Sequence, residues 1–539
     1  MRTKTAVLAA AVAVLGACLA QGGDFNVDGR DGAAIQKAID AAAAAGGGRV
    51  VVSAGIYPSR TLRLKSHVEL HLEKGALIQG GTNAADYATF PVPEAHLGRA
   101  LVQAWDAEDI AITGEGTIDG NGWSFFDMAR GATKWGRYFH PKPGRAHLVS
   151  MWHCRGVRFH GVTFMNSSVW TMHLRCCENL DFDRIRVIND VRFYNGDGID
   201  FDSCRHVRLS RSEFVTGDDC VVLRAIRNKG DAGKFVCEDV EVSDCDLESG
   251  CQCIRVGCPS DDTIRNCRFR NIRMKGWNGI FFEFPHFYLR QDEDGYANVH
   301  DITFENVTGA LDNNAAQILV GDGIKIRGVR DVMFRNFDVR SEHPVRFCGN
   351  VYSPVVRIRR ENFTLNGKRL PDGEFEAPCT NAKPLRRRQP GELNYKKPEP
   401  YVRQLYVTVG DQTGEAVQQA IDAVAKNATG GVVLVPEGAY SGDRLELRSR
   451  VELRLARGAR IALGKTGLIS AVDLQDVALT GEGEIVGAGP SGADAQVKFL
   501  RCTGVRVDGI ALDRKQMLDI ASCEDVTTGG LRFERSIRP

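Results

Sequence analysis

One short pattern recurs along the first half of the chain: Cys154-Arg155-Gly156-Val157, Cys177-Glu178-Asn179-Leu180, Cys204-Arg205-His206-Val207 and Cys237-Glu238-Asp239-Val240, at spacings of 23, 27 and 33 residues. Between these positions lie short runs that alternate apolar and polar residues, such as Val157 to Phe164, Val240 to Val242, Ile264 to Ile272 and Ile302 to Val307. Alternation at period two is the mark of half-buried strands, and its return every few tens of residues is the mark of a solenoid. Asn166, Asn266, Asn271 and Asn306 fall at the turns, where asparagine tolerates left-handed backbone and bonds its own chain. The expected fold is therefore all-β, a right-handed parallel β-helix. An up-and-down sandwich is disfavoured because two-residue hairpin signals are sparse. Sixteen cysteines in an exported chain would suggest disulfides, but the repeat predicts buried thiols stacked coil upon coil, with a Cys204–Cys220 bridge as the alternative. Cys251 and Cys253 lack a second ligand pair at zinc spacing, so no metal or other cofactor is expected.

A solenoid needs its end covered. Asp31 to Asp40 has helical spacing with Ile35, Ala38 and Ile39 on one face, and Gly46-Gly47-Gly48 breaks it before Arg49 to Val52, so an N-terminal capping helix precedes the first coil. Proline and charge without periodicity over residues 371–403 read as a linker; the arginines at 386–388 within it read as a solvated charged face. Beyond it the start of the chain repeats: Thr413 to Asp422 echoes Asp31 to Asp40, Ser449 to Leu455 echoes Ser66 to Leu72, and Cys502 to Val505 echoes Cys154 to Val157. The predicted organisation is an export signal over 1–20, a catalytic β-helix over 24–370, the linker, and over 404–539 a truncated second β-helix-like module without catalytic residues.

The candidate site is the stretch Asn195 to Cys220, which puts Asp197 and Asp200 at one end of a strand-like segment and Asp218 and Asp219 at the other. One turn of coil, with parallel strands about 4.8 Å apart, would bring Asp197 beside Asp218 and Asp219. Clustered carboxylates repel one another, and paired carboxylates are what cleavage of a glycosidic bond requires. Gly196, Gly198 and Gly217 suit close backbone approach. The aromatic inserts Trp123 to Tyr138 and Phe284 to Tyr296 are candidates for cleft walls, and Trp170 is either a sugar platform or a core residue.

Asn195-Gly196-Asp197-Gly198-Ile199-Asp200 followed by Gly217-Asp218-Asp219-Cys220 resembles the NTDG and GDD motifs of glycoside hydrolase family 28, the polygalacturonases and their relatives. The resemblance implies Asp218 as general acid, with Asp197 and Asp219 activating water for an inverting hydrolysis. Two family motifs are missing. Cys251-Gln252-Cys253 stands where the family has GHG, and Phe281-Phe282-Glu283 stands where it has RIK. The implied substrate-binding residues are Asn195, Asp200, Gln252, Arg255, Phe281 and Glu283. A glutamate where the family grips a carboxylate with lysine would repel a uronate, so a galactose-type sugar suits it, with galacturonate retained if Arg255 or Arg224 supplies positive charge.

Residues 1–20 carry Arg2 and Lys4, an apolar run from Ala6 to Leu15, and then Leu15-Gly16-Ala17-Cys18. The run is too short for a membrane span and reads as an export signal; LGAC resembles a bacterial lipobox, which implies anchoring through a lipidated Cys18 in the cell envelope, periplasmic or extracellular. Cleavage after Ala20 is the competing reading. A net charge of +1 with 25% charged residues provides no basic footprint for nucleic acid, so the expected partner is a polysaccharide or oligosaccharide. The alternatives are a non-catalytic carbohydrate-binding β-helix, which the three motif aspartates argue against, and a polysaccharide lyase, which would need a cationic base.

Overall fold

Alternation along each run sends one set of side chains inward, and the structure stacks those sets coil upon coil. It is a computed structural model that describes residues 22–375 and 406–533, apart from 93–96, 133–137, 228–234, 258–259, 285–296, 322–323, 351, 410–411, 426–429, 457, 488–495 and 514–516. The export signal, most of the linker with its arginines, and most of the second aromatic insert lie outside the described residues. The chain divides into two compact units, residues 1–394 and 395–539.

In the first unit the coils up to Arg224 contribute three strands each, and each strand pairs in parallel with its counterpart one coil on. One ladder runs His147–Trp152, Met172–Arg175, Ile199–Asp202, Val221–Arg224. A second runs Arg155–His160, Glu178–Asp183, Arg205–Ser210, and a third Thr163–Met165, Arg186–Ile188, Glu213–Thr216. From Cys237 onward the strands lengthen, so that Cys237–Gly257 and Thr263–Phe284 each span all three faces. This is the right-handed parallel β-helix expected from the repeat, and the sandwich is ruled out by the parallel register. Inward aromatic side chains form stacks, with Phe269, Phe304 and Phe334 at centroid distances of 4.9 and 5.3 Å. Fully buried aromatics of this kind contribute the largest apolar areas of the core.

Turn chemistry follows the sequence closely. Asn166, Asn266, Asn271 and Asn306 all have φ between 52 and 57°. Successive turn amides also bond to one another, Asn306 donating to Asn271, Asn336 to Asn306 and Asn362 to Asn336 at 2.9 to 3.0 Å.

The cysteines of the repeat are buried free thiols, one behind another, and burial pushes the Cys177, Cys204 and Cys237 thiols up. The alternative bridge is not formed: Cys204 and Cys220 are both free, and Cys220 lies one coil from Cys253, because the register seats Val221 on Ile254.

The capping helix spans Gly32–Ala44, with the Asp31 carboxylate accepting from the Ala34 N–H at 2.9 Å and Ile35, Ile39 and Ala42 buried against the first coils. It ends where Gly47 turns at φ 130°, pressed so close to the His67 carbonyl that a Cβ would meet it at 2.7 Å. The second unit repeats the opening of the first: a helix, Gly414–Ala425, and parallel ladders such as Gly431–Val435, Val451–Leu455, Gln475–Gly481, Thr503–Asp508. Among the described residues no helix is long and apolar enough to cross a membrane.

Candidate active site

The coil between the two acidic clusters closes in one turn, and its backbone bonds set the level of each aspartate. Thr171 N–H donates to the Asp197 carbonyl at 2.8 Å, Gly198 N–H to the Asp219 carbonyl at 2.7 Å, and Cys220 N–H to the Gln252 carbonyl at 3.0 Å. With Ile199 paired to Val221 and Val221 to Ile254, this register puts Trp170, Asp197, Asp219 and Gln252 on one level, about 4.8 Å apart from coil to coil. Asp218 lies next to that level. Gly198 and Gly217 permit the closure: a Cβ on Gly198 would meet the Cys220 carbonyl at 2.4 Å, and one on Gly217 the Phe193 carbonyl at 2.1 Å.

Burial divides the three carboxylates. Asp197 and Asp219 are 2% and 1% exposed, whereas Asp218 is partly exposed and its backbone carbonyl is held by Thr216 and Ser249 hydroxyls at 2.6 Å. Burial, followed by the charges of Asp200, Asp218 and Asp219, pushes the Asp197 carboxyl well above the ordinary range. Asp219 is pushed up to about 7 by burial and by Asp218, against the opposing pull of Arg255. Asp200 also rises to about 7, chiefly through burial, with Arg224 opposing. One oxygen each of Asp197 and Asp219 is buried without a hydrogen bond, as is the Gln252 Oε1.

Each remaining sequence candidate lies on the coils that carry the aspartates or on the two that follow. Asn195 turns the chain at φ 55°, and its Oδ1 accepts from Arg145 at 3.1 Å. Asp200, Arg255 and Phe281 share one outward file of the sheet, through Val222, and Asp200 lies opposite His173 on the coil before. Arg224 Nη2 stands 2.8 Å from Asp200 and 3.8 Å from Asp197, while its guanidinium covers the Trp170 ring at 4.2 Å from the centroid. Half-buried Trp170 is thus neither a core residue nor a bare platform: an arginine occupies one of its faces. Arg255 reaches Asp219 Oδ2 at 2.7 Å with one arm and pairs with Glu283 through the other. Glu283 therefore answers an arginine of the groove, as an ordinary surface-strand glutamate would.

Several residues of the groove were not anticipated. Asp202 is held below the usual range despite its burial by His173, Arg175 and Arg224, and burial in turn pushes the His173 imidazole down. Arg145, behind Asn195, joins the Ser168 and Tyr194 carbonyls. The 27-residue spacing of Cys177 and Cys204 contained the first of these signals, since it carries His173 onto Asp200 and Arg175 onto Asp202. Trp123 packs on Phe193 with centroids 4.6 Å apart, so the near end of the first aromatic insert braces the turn before Asn195. Among the described residues, Asp218, Asp219 and Cys251 could offer ligand atoms to a cation, within 4.8 Å of one another, but Arg255 already engages Asp219.

The sequence profile described as glycosyl hydrolases family 28 matches residues 50–237. The match includes all three aspartates and stops short of Cys251 to Cys253 and Phe281 to Glu283. A probable polygalacturonase of Vitis vinifera is 28% identical over 190 residues, 33% of this chain and 37% of that protein. An exo-poly-alpha-D-galacturonosidase of Dickeya chrysanthemi is 28% identical over 232 residues, 35% and 38% of the two chains. The chain thus spans less than two fifths of the length of either relative. A hyperthermoactive exopolygalacturonase from Thermotoga maritima aligns with a TM-score of 0.46 at 21% identity, over 64% of this chain and 92% of that one. Over residues 50–237 the chain is similar to the glycosyl hydrolases of family 28.

Proposed function

We propose that residues 24–370 form a glycoside hydrolase that cleaves a pectin-related or galactose-containing saccharide with inversion. The observation that carries the reading is the level shared by Asp197 and Asp219, with partly exposed Asp218 at their side. Asp218 is the member of the set with access to a leaving group, and it gives its proton to the glycosidic oxygen as that bond breaks. Asp197 and Asp219 take the proton from the water that attacks the anomeric carbon. A base held near 7, as Asp219 is, suits proton transfer at neutral pH.

Inversion draws its support from the family resemblance and from the state of Asp219, whose Oδ2 is tied to Arg255 and so is poorly placed to attack carbon. Separation alone does not favour it, since Asp218 and Asp219 bring oxygens within 4.8 Å while inverting pairs usually stand about 6.5–9.5 Å apart. Proton NMR of the first product decides: the inverted anomer is expected, and retention would remove the assignment.

A neutral sugar at the cleaved bond is supported by charge. Arg224 is matched by Asp200, and Arg255 by Asp219 and Glu283, so neither guanidinium is an uncompensated carboxylate receptor. Incubation with homogalacturonan, galactan and rhamnogalacturonan, followed by product analysis, tests the activity. Saccharide binding without cleavage of any of them would favour the carbohydrate-binding alternative. The same reading includes export through residues 1–20 with lipid attached at Cys18. Radiolabelled fatty acid should enter the parent protein and not Cys18→Ala.

A further inference from the structure

Trp170 stands on the level of Asp197, one coil before it, and its ring is packed on several sides. The imidazoles of His147 and His173 lie 5.6 and 4.9 Å from it between ring centroids, at steep angles of 60° and 74°. His147 Nδ1 also stands 3.1 Å from the Trp170 carbonyl. Burial pushes both imidazoles down, His147 to about 3, so neither adds positive charge beside the indole. One face of the ring is taken by the Arg224 guanidinium, which reaches back from the strand Val221–Arg224, two coils on, to 4.2 Å from the centroid. An aromatic face attracts a flat cation, and a guanidinium pressed on it keeps an orientation that a free side chain would not.

The carboxylates of the site depend on where that guanidinium lies. Arg224 is 4% exposed and stands 2.8 Å from Asp200 and 3.8 Å from Asp197; among the described residues neither aspartate pairs with another cation. Asp219 is served by Arg255, which also holds Glu283, and Asp202 by Arg175 at 3.5 Å and His173 at 3.7 Å. The other charges facing Asp197 are Asp218 and Asp219 and, at longer range, Arg145, which donates to the Asn195 amide oxygen. Asp197, Asp200, Asp202 and Asp219 all feel the Arg224 charge, and in each it opposes the upward push of burial. A buried carboxyl that keeps its proton cannot take one from water. Coulomb attraction falls with distance, and withdrawal of the guanidinium by about 2 Å, at the screening usual in such sites, is worth roughly one pH unit.

We propose that Trp170 is a positioning residue for the reaction rather than a sugar platform: its ring holds Arg224 against Asp200 and Asp197, and so keeps the counter-charge beside the carboxylates that take the proton from water. The consequence for turnover rests on the glycosidase reading, whereas a melting series tests the placement without it. Trp170→Leu fills the site but has no ring face, Trp170→Phe restores one, and Arg224→Gln removes the charge. In the full-length protein, kcat and KM are followed from pH 4 to pH 9 on whichever of the homogalacturonan, galactan or rhamnogalacturonan oligosaccharides the parent cleaves. Trp170→Leu should move the acidic limb of kcat/KM up by roughly one pH unit, Trp170→Phe by about half of that or less, and Arg224→Gln by more, with KM in both Trp170 variants within about twofold of the parent. A KM raised about tenfold over an unmoved limb would make Trp170 a platform, and a kcat lowered equally at every pH would make its role structural alone; either overturns the proposal. Asp197 and Asp200 titrate higher in the folded chain than at their unfolded value of about 3.9, so stability is lost as pH rises, and loosening Arg224 deepens that loss. The melting-temperature deficit of Trp170→Leu should therefore be larger at pH 9 than at pH 4 by roughly 2 °C, and that of Trp170→Phe should widen less. Equal deficits at the two pH values would overturn the placement. A widening deficit in a protein that cleaves none of the saccharides would defeat the glycosidase reading and leave the placement standing; cleavage with an unmoved limb and equal deficits would do the reverse.

Discussion

Asp197 stands in a setting hostile to its own charge, and that hostility is measurable. In Asp218→Asn the amide cannot deliver a proton, and kcat should fall by about 10² to 10⁴ while the melting temperature holds. Asp197→Asn should be as damaging to turnover yet more stable at neutral pH. The Asp197 carboxyl titrates higher in the folded protein than at its unfolded value of about 3.9, so the folded state binds the extra proton and stability is lost as pH rises above about 4. Replacing it should leave the melting temperature nearly unchanged at pH 4 and raise it by on the order of 2–4 °C at pH 8, as relief of about 1 kcal/mol would. A melting curve that shifts equally at both pH values would show that the carboxylate is not strained. Glu283 offers a third test. Because it holds one arm of Arg255, Glu283→Gln should release that arm and shift kcat/KM toward acidic substrate, by up to roughly tenfold. Unchanged selectivity with retained activity would put Glu283 outside recognition.

A coil is held by its corners as much as by its core. Asn306 turns at φ 56° and joins Asn271 and Asn336 through its amide, so alanine there loses both bonds and takes a backbone region that costs it about 1–2 kcal/mol. Asn306→Ala should destabilise the β-helix by about 1–3 kcal/mol in urea melts, and Asn306→Gly, free of the backbone cost, by about 1 kcal/mol less. Equal effects would mean the amide ladder alone matters. The thiol file is of the same order of structure. Cys154, Cys177, Cys204 and Cys237 fill one inward position coil after coil, which is why these four are thiols of the core and not bridges.

At the scale of the whole chain, the two units share a sequence plan but not the acidic clusters. Residues 395–539 carry the helix, the opening strands and the Cys502 turn, and among them stands no counterpart of Asp197 or of Asp218 and Asp219. A chain ending at Asn394 should therefore keep its kcat/KM on a short oligosaccharide, and residues 395–539 alone should have none. Loss of turnover in the shorter chain would assign the second unit a part in the reaction.

Period-two alternation, turn asparagines, the cysteine repeat and the helical spacing of Ile35 and Ile39 are local signals, and local chemistry determined the β-helix, its cap and the nearness of Asp197 to Asp219. The partners of charged side chains were another matter. That Arg255 spans Asp219 and Glu283 and that Arg224 covers Trp170 while facing Asp200 follow from coil lengths of 27, 22 and 33 residues, which bring distant positions to one level. A long side chain chooses among whatever that level presents, and only the tertiary structure decides what is there.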